Sequence, residues 1–199
     1  MTSTGLPAID PKRTALLVMD VQNGIVGSIA EPGALLDRLQ GAIADVRAAG
    51  GTIGYVRVAF TEDDWAAVPE TNASFHRLAQ ARGMHHEDAS TQIHDRIAPA
   101  DGDITVKKTR IGGMSTTDLH QQLTARGIDT LILAGISTSG VVLSTLGEAA
   151  DRDYRVFVLS DGVADHRDDV HDILLNTVFP SRATVVDSAT LRGLLRAAA

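Results

Sequence analysis

Between Thr130 and Ala150 the chain reads TLILAGISTSGVVLSTLGEAA: a strand-length apolar run, a Gly-Ile-Ser-Thr-Ser-Gly turn, then apolar residues at helical spacing. A strand passing through so short a turn into a helix is the unit from which open α/β sheets are built. In such sheets the junction falls at the carboxyl end of a strand, where ligands bind. The helix start turns its free backbone N–H groups and positive dipole end into the crevice. Val141, on the first turn of that helix, is expected to face the site.

The rest of the chain repeats this alternation. Thr14 to Val21 is a near-continuous apolar run of the kind that forms a parallel strand covered on both faces, interrupted by Asp20 and followed by a loop at Gln22-Asn23-Gly24. Leu35, Leu36, Leu39, Ile43 and Val46 predict a helix stopped by Gly50-Gly51, and Thr52 to Phe60 a second strand. Residues 61–102 are dominated by Asp, Glu, Pro, Asn and His, with one short helix around Ser74 to Ala81; this composition marks a mobile or substrate-covering segment. Ile104 to Lys108 predicts a strand, Thr117 to Arg126 a helix, Thr130 to Ile136 a strand, Ser139 to Arg152 a helix, and Arg155 to Leu159 a strand closed by Ser160-Asp161-Gly162. A helix from His166 to Val178, a strand from Ala183 to Val186 and a helix from Thr190 to Arg196 complete it. The implied fold is a doubly wound, mostly parallel sheet with helices on both faces, in one domain spanning 1–199.

Composition narrows the function. The net charge of -7 and the absence of a basic cluster argue against nucleic-acid or anionic-membrane surfaces. No apolar run has bilayer-spanning length and no leader pattern opens the sequence, so a cytoplasmic protein is expected. There is no cysteine.

Few polar residues break the apolar strands. Asp20 closes the first, and Lys107 and Lys108 close the third. A carboxylate and an ammonium meeting at the carboxyl edge of a sheet can shift each other's pKa and act as acid and base; a purely structural ion pair fits the same pattern.

LLVMDVQNG at 16–24, VKKTRIGGMSTTDL at 106–119, GIDTLILAGISTSGVVLSTLGEAADRDYRVFVLSDGVAD at 127–165 and the helix of His171 to Phe179 together resemble the isochorismatase-like, or cysteine hydrolase, superfamily. The resemblance covers nearly the whole chain. It implies a three-layer α/β/α isochorismatase-like hydrolase fold, a small-molecule substrate, a homodimer or homotetramer, and no cofactor. Many members cleave C–N bonds with an Asp, Lys and Cys triad. Counted back from Thr117-Asp118-Leu119, the triad lysine falls on Lys108 rather than Lys107, the aspartate on Asp20, and the cysteine position on Val141.

Valine decides the mechanism, since it has no lone pair and no titratable proton and cannot form an acyl-enzyme. With no cysteine anywhere, a relocated thiol is excluded too. Ser139 and Ser144 are nearby hydroxyls, but helix capping by Ser137 or Ser139 explains that turn better. Isochorismatases themselves lack the cysteine and hydrolyse a vinyl ether with the aspartate as proton donor. By resemblance, Asp20 protonates the substrate, Lys108 orients the substrate and tunes the carboxyl group, and water is the nucleophile. Ser137, Gly140 and Gln22 are expected to bind the substrate or its oxyanion. The resemblance also implies a cis, non-proline peptide bond before Ser137, aiming a backbone N–H at the substrate oxygen.

The turn sequence argues against isochorismate itself, because it looks like that of the amidohydrolases with one residue exchanged. His85, His86 and His94 lack ligand spacing, so no metal is expected. His171 is expected to pack or hydrogen-bond at the sheet's end, and His120 to be a solvated helix residue. Trp65, Phe75 and Met114 are read as apolar pocket walls, or else as core. Gly112, Gly113 and Met114 stand where Ser-Ala-Phe often follows the lysine strand, which with Val141 implies a remodelled pocket. Two functions fit: a hydrolase using Asp20 and Lys108 non-covalently, and a non-catalytic ligand-binding or assembly protein on a scaffold that has lost its thiol.

Overall fold

The computed structural model describes residues 5–198. Six strands, β1 (Thr14–Met19), β2 (Thr52–Val58), β3 (Ile104–Lys108), β4 (Thr130–Ile136), β5 (Arg155–Ala164) and β6 (Thr184–Val186), form one sheet in the order β3-β2-β1-β4-β5-β6. Every pairing is parallel. Eight α-helices accompany them among the described residues: α1 (Asn23–Val26), α2 (Pro32–Ala48), α3 (Glu62–Ala66), α4 (His76–Gln80), α5 (Leu119–Ala125), α6 (Leu143–Ala150), α7 (Asp168–Ile173) and α8 (Ser188–Ala197).

Strand periodicity sorts the core into two faces. Leu16 and Val18 of β1, with Ile53, Tyr55, Ile132 and Phe157, pack under Leu36, Leu39 and Ile43 of α2 and Leu191 and Leu195 of α8. Ala15, Leu17 and Met19, with Val56, Leu131 and Val158, pack under Leu119 and Leu123 of α5 and Leu146 and Ala149 of α6. All six residues of β1 are buried, as a central parallel strand requires. The result is the three-layer α/β/α arrangement.

The order matters for the site. From β1 the chain steps outward through β2 to β3, then crosses back to β4 on the other side of β1. The connections leaving β1 and β4 therefore diverge, and the crevice between their carboxyl ends is where an open α/β sheet receives ligands.

Several elements differ from their sequence pattern. The strand expected to stop at Leu159 runs on to Ala164, because its register with β4 shifts: Leu133 pairs with Val158, and Gly135 with Val163. Ser160 to Gly162 occupy that irregularity, and the Asp161 carboxylate is used elsewhere, accepting from Ser188 N (2.9 Å) and Ser188 Oγ (2.6 Å) at the start of α8. The single helix expected from Ser139 to Arg152 is a π-helical turn, Thr138–Val142, followed by α6. The helix expected from His166 to Val178 is likewise α7 followed by a π-helical turn over Leu174–Val178. Nor is 61–102 a loop with one helix: it contains α3, α4 and two 3-10 turns.

Candidate active site

Three strand ends converge on the crevice. Met19 pairs with Gly135, so Asp20 and Ser137 emerge side by side after β1 and β4, and Lys108 ends β3 opposite Val58. The close fit of β1 and β4 needs glycine at 135, where φ is 129° and a Cβ would lie 2.0 Å from Met19 O. Asp20 itself sits at φ 55°, a left-handed conformation that aspartate tolerates better than most side chains. Its N–H donates to Val56 O (2.8 Å), tying the turn to β2.

Lys108 Nζ lies 2.9 Å from Asp20 Oδ2, with both side chains buried. It also donates to Arg110 O (3.1 Å) and Ile111 O (2.9 Å). Two carbonyls thus hold its protons while its charge faces the Asp20 carboxylate. In this arrangement Lys108 is held by its own loop against Asp20, where it tunes that carboxyl group. Burial pushes the Asp20 carboxyl up from 3.8 to about 6, against the opposing pull of the Lys108 charge and hydrogen bond. Asp20 Oδ1 is buried and has no hydrogen-bond partner.

The carbonyls that hold Lys108 belong to a loop clasped by α6. Gly113 N donates to Thr145 Oγ1 (2.9 Å) and Met114 N to Glu148 Oε2 (2.8 Å). A Cβ on Gly112 would meet Glu148 Oε1 at 2.4 Å, so the glycine is what lets this loop lie against the carboxylate. Met114 is consequently core rather than pocket wall.

On the other side, the Ile136–Ser137 peptide bond is cis. Gly140 N and Val142 N both donate to Ser137 O (3.2 Å each). Neither Ser137 nor Ser139 caps this turn with its hydroxyl. The Asp165 carboxylate does so instead, accepting from Ser139 N at 2.7 Å, and these hydrogen bonds hold it below the usual carboxylate range despite partial burial. Thr138 Oγ1 and His171 Nδ1 share a hydrogen bond of 2.8 Å.

Asp20, Lys108, Ser137, Gly140 and Val141 line one cavity of about 310 Å³. Ile25, Val58, Phe75, Met84, Ile111 and Ile136 make its apolar walls; Ser28 and His166 complete it, His166 as an exposed side chain. A larger opening of about 870 Å³, around Pro11 and Leu194, lies by the amino end of β1, away from this chemistry.

Gln22 does not join the cavity. It is fully buried, donating to Val58 O (2.9 Å) and Thr91 O (2.7 Å) and accepting from Val58 N (2.8 Å), so its amide is consumed in fastening the 61–102 segment to β2. Trp65 also turns away, its indole N–H donating to Gly83 O (3.0 Å), whereas Phe75 does reach the cavity. His120 is half-buried against Tyr154, with Nδ1 2.9 Å from the phenolic oxygen, and is not a solvated residue. His85, His86 and Glu87 bring one potential ligand atom each within 4.8 Å of one another, a grouping the spacing did not suggest, while His94 stays apart. The Arg57 guanidinium donates to His86 O (3.1 Å) on the same turn. Sequence reasoning missed Glu148 and Met84, whose parts depend on which loop the fold lays against which wall.

A family profile for the isochorismatase domain matches residues 14–190. The chain is 34% identical over 172 residues to the isochorismatase family protein YwoC of Bacillus subtilis, spanning 86% of this chain and 88% of that one. It is 32% identical over 184 residues to the ureidoacrylate amidohydrolase RutB of Methylobacterium radiotolerans (77% and 68%). Against the phenazine biosynthesis protein PhzD of Pseudomonas fluorescens it is 32% identical over 176 residues (85% and 83%). Its fold is shared with a cysteine hydrolase from Pseudomonas syringae pv. phaseolicola at a TM-score of 0.85 and 24% identity, covering 98% of this chain and all of that one.

Proposed function

The chain belongs to the isochorismatase family of hydrolases, and from that premise we propose that it hydrolyses a small molecule by acid–base catalysis at Asp20, with no covalent intermediate. The observation that carries this reading is the unpartnered Oδ1 of Asp20, buried in the wall of the cavity on a carboxyl group raised to about 6. A carboxyl with such a pKa holds its proton where an ordinary aspartate has lost it, which is what a general acid near neutral pH needs.

In the proposed step, Asp20 gives its proton to the substrate, at the leaving nitrogen of an amide or the terminal vinyl carbon of a vinyl ether, and water adds to the electrophilic carbon, from which the leaving group then departs. The water's surplus proton returns to the Asp20 carboxylate, so one water is added across the bond and the enzyme is restored. Lys108, fixed by two carbonyls, steadies the carboxylate formed midway. Val141 stands where the family's nucleophile would be and supplies only an apolar wall. Both bond classes suggested by relatives and resemblance, the C–N bond of an amide as in the ureidoacrylate amidohydrolase and the C–O bond of a vinyl ether, suit this proton donor.

Val141 also favours a competing reading, a binding protein that has lost its chemistry. A hydrolysis screen of vinyl ethers and small amides on the wild type, Asp20→Asn and Val141→Cys separates the two. Acid–base hydrolysis requires wild-type turnover that falls about tenfold per pH unit above about pH 6 and disappears in Asp20→Asn. A silent wild type with amidase activity appearing only in Val141→Cys refutes it.

A further inference from the structure

We propose that the Asp20 cavity takes a compact, uncharged substrate with an apolar body and rejects molecules carrying a carboxylate into it; this rests on the reading that the cavity is the substrate site, but not on turnover.

The argument is a count of available charges. A buried carboxylate needs a cation or several N–H donors aimed at it. Lys108 is the one Lys or Arg among the residues lining the cavity; it is ion-paired with Asp20 Oδ2 at 2.9 Å and donates to Arg110 O and Ile111 O. Its charge is further answered by Asp20 whenever that group is ionised. The neighbouring cations are turned elsewhere. Lys107 is paired with Asp64, and Arg110 donates to Thr109 O (2.6 Å) and Ala67 O (3.4 Å). Neither Lys107 nor Arg110 lines the cavity.

What the wall does offer is mostly apolar. Val58, Phe75, Met84, Ile111, Ile136 and Val141 line it, with Ser28, Ser137 and His166 as polar side chains beside Asp20, whose Oδ1 has no hydrogen-bond partner. When protonated, that atom donates to a neutral acceptor; when ionised, it repels an anion. At about 310 Å³ the space is also at the small end of ligand sites. A cavity with mostly apolar walls, few polar side chains and no Lys or Arg other than the ion-paired Lys108 selects a compact neutral molecule.

Two probe pairs that differ by a charge test this: benzamide against benzoate, and phenyl vinyl ether against 3-vinyloxybenzoate. Each is titrated calorimetrically into the wild-type protein at pH 7.5, and into Val141→Phe and Ile25→Trp, which fill the cavity from two different walls and are checked for folding by circular dichroism. The neutral member of each pair is expected to bind at least about tenfold more tightly, and each folded blocking variant to lose that binding. Equal or tighter binding of either carboxylate, failure of both neutral probes to bind, or binding that survives a folded blocking variant overturns the proposal. Turnover is read separately. Hydrolysis of the neutral ether that persists in Asp20→Asn sinks the catalytic reading and leaves this inference standing. Asp20-dependent hydrolysis that favours the carboxylated ether does the reverse.

Discussion

Replacing Lys108 by methionine tests the central electrostatic argument, because it removes the ammonium while nearly keeping the side chain's length. At 2.9 Å, with an effective dielectric constant of about 20, the Lys108–Asp20 attraction is about 6 kcal/mol, an upper bound that competing interactions reduce. Loss of an adjacent opposite charge moves a carboxyl pKa up by about 1–3 units. Burial, which already dominates at Asp20, then acts unopposed by the ion pair, and the group moves from about 6 into roughly the 7–9 range. The alkaline limb of kcat/KM in Lys108→Met should therefore shift upward by at least about one unit, while the plateau falls because a weaker acid donates its proton less readily. The carboxyl C=O stretch in infrared difference spectra should report the same shift without relying on turnover. The variant should also lose stability, since Arg110 O and Ile111 O each forfeit a donor at roughly 1–3 kcal/mol. A limb that stays near pH 6 or moves to lower pH would show that Asp20 is not the group being titrated.

The raised pKa also has a sign in stability. Between about pH 4 and pH 6 the folded chain retains a proton on Asp20 that the unfolded chain has released, so this group's contribution to stability is lost as pH rises through that window. Asp20→Asn, which mimics the neutral form, should gain on the wild type by about 2 kcal/mol from pH 4 to pH 7 in paired thermal melts; a constant difference contradicts the raised pKa. Gln22→Ala should cost roughly 2–3 kcal/mol in urea unfolding, because it removes the Gln22 partner of Val58 N and Val58 O and leaves Thr91 O to Arg57 alone; a near-neutral effect would return Gln22 to the candidate ligand-binding groups. Gly135→Ala, with its Cβ 2.0 Å from Met19 O at φ 129°, should cost more than about 4 kcal/mol and leave little soluble protein; a normal melting curve contradicts the close β1–β4 approach.

Most of the sheet was legible in the sequence, because β1, β2 and β4 are largely buried apolar runs bounded by turn residues and β3 alternates buried with more exposed positions. The Asp20–Lys108 pair was legible too, as charges that close such runs. Side chains engaged by distant backbone were not. Asp161 looked like a strand terminator because nothing in the local pattern shows that Ser188 will arrive to use its carboxylate. Gln22 sits beside the site in sequence, yet its amide is claimed by Val58 and Thr91, 36 and 69 residues away. The hydrogen bonds of Lys108 were invisible for a different reason: its two acceptors are carbonyls only two and three residues on, and they fold back because Thr145 and Glu148 clasp the loop beyond them.

Val141, at the position the family resemblance gives to a nucleophile, has a part in this electrostatics as well. Desolvation is what raises Asp20, and Val141 is one of the apolar side chains in the same cavity wall. Val141→Thr keeps nearly the same shape but exchanges a methyl for a hydroxyl that can donate to the carboxylate or hold a water in the cavity, favouring the ionised form. Because the whole upward displacement of Asp20 is about 2 units, one hydroxyl should return only part of it. The alkaline limb should then move to lower pH by less than about one unit, opposite in direction to Lys108→Met. Opposite shifts from the two substitutions would mean that the acid is tuned by a balance between an apolar wall and the Lys108 ammonium. A shift of the same sign, or an increase in turnover at constant limb, would mean instead that the introduced hydroxyl has begun to act as a nucleophile and that the thiol-free mechanism assigned to Asp20 is wrong.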